Sequence, residues 1–447
     1  MKLPSADYSE RCSLYQSIQS IFSPSFSGDG SIPPNASSSA AYHQPLSVSG
    51  FELAVFHMAD SLPDVWDELL PEGQQMMGRA YLRAQEQAPA EGMGYAYLMF
   101  YKNKQAIGLA ACQLMEFRAL QQIQSLQQMP EGNLVDRLWH AIKRAVASRI
   151  NYKLIICGAT QFTGQHAFVF DPAQTNSGLA MGLLDEGLQL LAGSLREEGW
   201  YAGGILIKDL EKGQPPFLRS LEAQGYSAFP FQPNMILPVR PEWNSFEDYL
   251  EAMVSKYRVR ARRAFKKGKG LLVKEMDEEA LSHHQEEIYS LYNEIAGRAD
   301  FNMLALPKDY FLSLKRAMPG EFRVFGYYLQ EQLVGFCSTL NNGPELEAHF
   351  IGFRPEVNHE YQLYLNMLYD MIRIGMDEGQ VERIVFSRTA MEIKSSVGAE
   401  PVKMYCCLRH LNPTLNRVLP ALVRWLEPKE ENWVQRHPFG DSGPNPE

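Results

Sequence analysis

The chain has no run of eighteen apolar residues, so no segment is expected to cross a bilayer as a helix. It has no apolar leader either. The opening MKLPSADYSERC lacks the hydrophobic core of a signal peptide, so the expected location is the cytoplasm, with docking at an anionic membrane surface as the alternative. The six cysteines, Cys12, Cys112, Cys157, Cys337, Cys406 and Cys407, form no CxxC, and no Cys/His cluster has zinc spacing. Reduced and mostly buried thiols are expected, with no metal and no permanently bound cofactor. Positive charge is also short. The 42 Lys and Arg face 52 Asp and Glu, a net charge of −10, which argues against DNA as a partner of the chain as a whole.

What is present is enough for two domains: 447 residues, 45% of them hydrophobic. Residues 1–50 are expected to be a flexible arm, because 24–50 is a Ser/Pro/Gly/Ala stretch with few apolar anchors. Residues 428–447 are expected to be a loose tail.

Between them the order of elements repeats. Residues 96–117 and 322–342 each alternate as a strand, a polar turn and a second strand with an early glycine, Gly108 or Gly335. Each hairpin is followed by a strand, a long amphipathic helix, a β-branched strand, a short helix and a glycine. In the first half these are 154–170, 179–198, 202–207 and 216–224 before Gly225. In the second they are 345–353, 360–378, 382–387 and 390–397 before Gly398. The first half carries extra residues, assigned to 118–152 and helical by pattern, with Leu134, Leu138, Ile142 and Val146 on one face. The reading is a mixed α/β (α+β) sheet protein of two tandem lobes, 51–240 and 241–427.

Three stretches carry a family resemblance. WDELLPEGQQMMGRAYLRAQEQ (66–87) is a tryptophan followed by a helix before the first hairpin. KYRVRARRAFKKG (256–268) is a basic Tyr-Arg helix, and FSRTAMEIKSSVGAEP (386–401) is a strand–helix junction. Together with the element order these resemble the GNAT superfamily of N-acyltransferases, in the tandem-lobe branch related to the FemABX transferases. The resemblance implies an enzyme that moves an acyl group from a thioester, acyl-CoA or acyl carrier protein as co-substrate, to an amine, with the second lobe catalytic. FemABX-like aminoacyl transfer from tRNA, long-chain acylation of a lipid amine as in ceramide synthesis, and a noncatalytic binding protein of the same fold stand as alternatives. One departure bears on the donor. GNAT enzymes hold the pyrophosphate of coenzyme A on a glycine-rich loop opening the helix after the fourth strand. Here that place reads RPEVNHEYQLY (354–364) in the second lobe, without glycine, and PAQTNSGLAMG (172–182) in the first, with only Gly178 and Gly182.

Acyl transfer to an amine needs a group to take the amine's proton. On ELEAHFIGF (345–353), period two puts Glu347 and His349 on one face, the pair expected to be catalytic. Arg388, Thr389, Glu392 and Lys394 follow the fifth strand, where a parallel sheet opens. With Tyr364 they are the expected substrate contacts, Arg388 through its planar fork. Residues 256–269 hold eight Lys or Arg and no acid, on what reads as one long helix capped by Ser245 and Asp248. Arg258, Arg260, Arg262, Arg263 and Lys267 are expected to meet the donor or another polyanion: acyl carrier protein, tRNA or an anionic membrane surface. His166 reads as a structural histidine. A C-terminal helix is expected from Asn412 and Pro413.

Overall fold

The computed structural model describes residues 42–118, 144, 151–211, 215–297, 305–426 and 433–440. Leu134, Leu138, Ile142 and Val146 of the expected insertion lie outside them, as do residues 1–41 of the expected arm. Short helical turns aside, the first half runs β1 (Tyr42–Pro45), β2 (Phe51–Phe56), α1 (Arg79–Gln87), β3 (Gly94–Lys102), β4 (Gln105–Arg118), β5 (Asn151–Cys157), β6 (Phe168–Phe170), α2 (Ser177–Glu197), β7 (Gly204–Glu211), α3 (Pro215–Ala223) and β8 (Ser227–Pro238). The second runs α4 (Phe246–Ala252), α5 (Ser255–Gly268), β9 (Leu272–Met276), α6 (Glu278–His283), α7 (Gln285–Ala296), α8 (Tyr310–Ala317), β10 (Phe322–Leu329), β11 (Gln332–Asn342), β12 (Glu345–Phe353), α9 (Pro355–Tyr361), α10 (Leu363–Asp377), β13 (Arg383–Val385), α11 (Met391–Ser395), β14 (Glu400–His410) and α12 (Pro413–Leu426).

The two hairpins are built alike. Each turns on two left-handed residues, Asn103 (φ 49°) with Lys104 (φ 69°) and Gln330 (φ 49°) with Glu331 (φ 68°), the turn whose twist matches that of the strands. Each carries a bulge just before the turn, at Phe100/Tyr101 and at Tyr327/Tyr328. The glycine beyond each bulge is required by close packing. A Cβ on Gly108 would lie 2.3 Å from the Phe170 ring, and one on Gly335 would lie 2.7 Å from Met367 Cε.

The described strands form a single sheet in the order β1-β2-β3-β4-β5-β7-β14-β8-β13-β12-β11-β10-β9, with β6 against β4. The last strand of each half is exchanged. β8, from the first half, pairs with β13 of the second, and β14, from the second, pairs with β7 of the first. The expected cut near residue 240 therefore separates the halves in sequence, while each half's sheet is completed by a strand of the other. Three cores follow. One lies between α2 and the first half's strands, and one beneath α4, α5 and α10 on the second. The third is shared, with α1 packed on α8 and buried residues from both halves.

Several elements differ from expectation. The strand expected at 154–170 is two, β5 and β6, separated by a loop that carries Gly158 (φ 129°) and Gly164 (φ 135°). The helix expected to run unbroken through 245–268 is two, parted where Val254 is extended (ψ 150°). The Ser245 cap is present, its Oγ accepting from Asp248 N at 3.2 Å. The helix expected at 360–378 breaks at left-handed Gln362 (φ 50°). The expected flexible arm ends early, because Tyr42–Pro45 pairs as the edge strand and Leu46 is buried. Part of the expected loose tail is docked. Phe439 packs tilted against Trp243 with centroids 5.0 Å apart, Pro438 O accepts from Val254 N at 2.8 Å, and Arg436 pairs with Glu392. Among the described residues no helix is long and apolar enough to cross a membrane.

Candidate active site

β12 and β13 pair in parallel at only three positions, Glu345 with Arg383, Leu346 with Ile384 and Glu347 with Val385, and then part. The chain beyond β13 is bent by three non-glycine residues at positive φ, Ser387 (61°), Thr389 (66°) and Ala390 (47°). Such angles cost energy and persist only where the surroundings impose them. Glu347 stands at the last paired position, 2% exposed, and its Oε1 has no hydrogen-bond partner. Burial pushes its carboxyl up to about 8, against the pull of Lys208.

His349 shares that strand face, as the period of two predicts. A bulge in β11 and β12 leaves Ser338 opposite it. Its ring nitrogens face Tyr310 Oη at 3.0 Å and Ser338 Oγ at 3.2 Å, and its ring stacks on Phe162 with centroids 4.6 Å apart. Burial lowers it to about 3, so the imidazole is neutral at ordinary pH.

Phe162 belongs to the first half, and it is not alone. The 158–167 loop also supplies Thr163, whose Oγ1 is 2.6 Å from Ser387 Oγ, and His166, whose Nε2 is 4.0 Å from Glu347 Oε1. β7 supplies Lys208 and Asp209, both buried. Asp209 has φ 61°, pairs with Lys208 and with Arg388, and accepts from Gly164 N at 3.3 Å. Burial alone would raise the Asp209 carboxyl, but the two cations outweigh it and hold the group below the usual range. Lys208 is lowered by burial, and its ammonium also donates to Phe162 O at 2.6 Å. Sequence reasoning missed these two residues. The available signal was two adjacent charges inside the apolar strand GILIKDLE, since charges are buried only when paired.

The expected substrate contacts divide. Arg388 is occupied by Asp209, by Gln232 O at 3.1 Å and by the Phe231 ring 4.6 Å away. Thr389 is exposed beside the gap. Glu392 is exposed and paired with Arg436 on the outer side. Lys394 is buried, donates to the carbonyls of Ser387 and Arg388, and is lowered by burial to about 7. It braces the bent junction. Tyr364 stacks on Phe353 at 5.8 Å, and its N–H is taken by Asn358 Oδ1 at 2.8 Å.

That last contact bears on the missing phosphate loop. One free N–H at the start of α10 is filled by the chain itself. In the first half, Asn176 likewise caps Leu179 N at 2.9 Å, and the open cavity beside Gly178 and Gly182 is lined by Asp185 and Glu186. Carboxylates there oppose a phosphate.

On α5, Tyr257, Ala261 and Ala264 are buried, while Arg260, Arg262, Arg263, Lys266 and Lys267 are exposed and Arg258 is half-buried. Arg262 reaches Glu247 at 3.7 Å and Arg258 donates to Glu251 O at 3.0 Å, both within the second half.

The two halves are unequal at the point where their strands part. In the first, the last parallel pair is Cys157 with Ile207, and Asp209 two residues on has positive φ, just as Ser387 does two residues beyond Val385. The counterpart of Glu347 is thus Cys157, a buried thiol donating to Ala167 O at 3.3 Å.

Residues 255–395 match the family model described as Acetyltransferase (GNAT) domain. No curated protein matches the chain. Among solved structures, FemX is 14% identical, with 82% of this chain and 99% of that one covered and a TM-score of 0.49. A tandem GNAT protein from the clavulanic acid biosynthesis pathway is 10% identical, covering 81% and 99%, with a TM-score of 0.48. A GCN5-related N-acetyltransferase from Sphaerobacter thermophilus is 11% identical, covering 71% and 81%, with a TM-score of 0.38. The family-model match lies within the second half of the chain.

Proposed function

We propose that the chain is an N-acyltransferase that works in its second lobe, moving an acyl group from a thioester to a primary amine. The observation that carries this is Glu347, a buried carboxyl with an unpartnered oxygen at the point where β12 and β13 part. In its ionised form Glu347 takes one proton from the acceptor's ammonium. The neutral amine attacks the thioester carbonyl, the C–S bond breaks, and the second amine proton leaves with the thiolate. The counterpart of Glu347 in the first lobe is a thiol held above its usual range by burial, which supports assigning the reaction to the second. The test is release of free thiol from acyl-CoA or acyl-pantetheine in the presence of a panel of primary amines, with the amide identified by mass spectrometry. Absence of thiol release, with amide formed only from aminoacyl-tRNA, would replace the thioester reading by aminoacyl transfer.

The cationic face of α5 is the proposed contact for a polyanion, whether the donor's carrier, tRNA or anionic lipid. Among the described residues the contacts of Arg258 and Arg262 stay within the second lobe, which favours this role over a clamp between the lobes. Charges this exposed are screened over a Debye length of ~8 Å at physiological salt. Replacing Arg260, Arg263 and Lys267 together by Glu is therefore expected to raise the donor KM by about tenfold at low salt and far less at high salt, with the melting temperature unchanged. A KM that does not move at either salt would remove α5 from donor recognition.

A further inference from the structure

We propose that His166, carried by the first lobe, is the positioning residue for Glu347: its unprotonated Nε2 and the Glu347 carboxyl share one proton, so the second lobe's site is complete only with the first. This deepens the acyltransferase reading and rests on it for the role of Glu347, but its central test needs no substrate.

The loop that carries His166 is pinned to both lobes, by Lys208 Nζ on Phe162 O, by Thr163 on Ser387 and by Gly164 N on Asp209. His166 is 4% exposed and Glu347 2%. Their nearest polar atoms, Nε2 and Oε1, are 4.0 Å apart, and neither has a hydrogen-bond partner. A buried polar atom without a partner is costly, so two that face each other constitute a donor and an acceptor awaiting closure. The imidazole's other nitrogen fixes which is which. Nδ1 lies 3.3 Å from Gln74 Oε1, which only accepts, so Nδ1 carries the hydrogen and Nε2 presents its lone pair to Glu347. Gly164 makes room for this, since a Cβ there would stand 2.8 Å from Nε2.

The charges around the pair agree. Burial, with Lys208 adding and Asp209 opposing, lowers His166 to about 3, so it stays neutral while the carboxyl holds its proton up to about 8. Lys208, Asp209 and Arg388 stand to one side and together leave one positive charge, which stabilises the carboxylate once the proton departs. His349 is neutral and held by Tyr310 and Ser338. When Glu347 ionises, Nε2 would face an anion. The favoured answer is the other tautomer, with Nε2–H donating to Glu347 and Nδ1 accepting from the Gln74 amide after it rotates. His166 thus changes tautomer without changing charge.

The experiment is ¹⁵N NMR of the full chain with labelled histidine, titrated from pH 6 to 10, the His166 signal being assigned by its loss in His166→Asn. The expected result is a change of Nε2 from acceptor-type to protonated near pH 8, absent in Glu347→Gln. No step in the wild type, or a step that survives Glu347→Gln, would overturn the proposal whatever the enzyme's substrate. The kinetic readout is the rising limb of kcat/KM against pH. Nε2–H bonds the carboxylate more strongly than the lone pair bonds the neutral carboxyl, so His166→Ala is expected to move the limb up by about one pH unit, with His166→Asn lying between. A folding role alone would lower the rate and leave the limb in place. Thiol release with an unmoved limb therefore defeats this inference and spares the acyltransferase reading, whereas no thiol release with the NMR step intact does the reverse.

Discussion

Glu347→Gln is expected to lower kcat by about 100-fold or more, with a small change in the donor KM. Glutamine keeps the shape of the side chain and removes its ability to take a proton. The wild-type profile should rise with pH and level off above about 8, because only the ionised carboxyl accepts the amine's proton. The variant should lack that limb. A second consequence needs no assay. The folded value lies above the ordinary 4.5, so the stability associated with Glu347 is full below about 4.5 and is lost as pH rises through about 8. The melting-temperature gap between Glu347→Gln and wild type should therefore widen in favour of the variant from pH 5 to pH 9. Wild-type turnover in Glu347→Gln would remove the residue from the chemistry. A gap that stays constant with pH would mean that the carboxyl is not buried as described.

The shared strand face of Glu347 and His349 was legible because a strand's period of two is a local property. The same holds for the hairpins, whose alternation and early glycines survive in both halves, and for the α5 stripe of Tyr257, Ala261 and Ala264. The 158–167 loop was misread for a physical reason. TQFTGQHAFVF (160–170) is as β-prone as a strand, and only the left-handed backbone at Gly158 and Gly164 ends the ladder. The breaks at Met253–Val254 and Gln362 carry no proline or glycine and are imposed by packing. The exchange of β8 and β14 has no local signature at all. Both strands would fit either lobe by pattern, and their partners lie far away in the chain. Because His166, Lys208 and Asp209 reach Glu347 and Arg388 only through that tertiary arrangement, reading one half at a time could not assemble the site.

Asp209→Ala is expected to destabilise the protein by about 3–5 kcal/mol, the usual cost of removing one partner from a buried ion pair. Asp209 is fully buried and lies between two cations from different lobes, Lys208 of β7 and Arg388 beyond β13, with Cys406 of the exchanged strand β14 3.9 Å from its Oδ1. Without the carboxylate, Lys208 and Arg388 face each other unneutralised across the seam. The damage should therefore be larger than the loss of the hydrogen bonds alone, and Asp209→Asn should recover only part of it, since an amide accepts a bond but supplies no charge. The decisive comparison is the triple replacement Lys208→Met, Asp209→Leu and Arg388→Met, measured by denaturant unfolding beside the single variant. If the cost of Asp209→Ala comes from stranded charge, removing all three charges should restore most of the stability, because apolar side chains of similar volume often replace a buried ionic group without loss. Catalysis should not return with it, since Arg388 also holds Gln232 O and Lys208 holds the loop beneath His166 through Phe162 O. An Asp209→Ala variant within about 1 kcal/mol of wild type would show that water reaches the triad and that the seam is not the sealed joint these contacts describe.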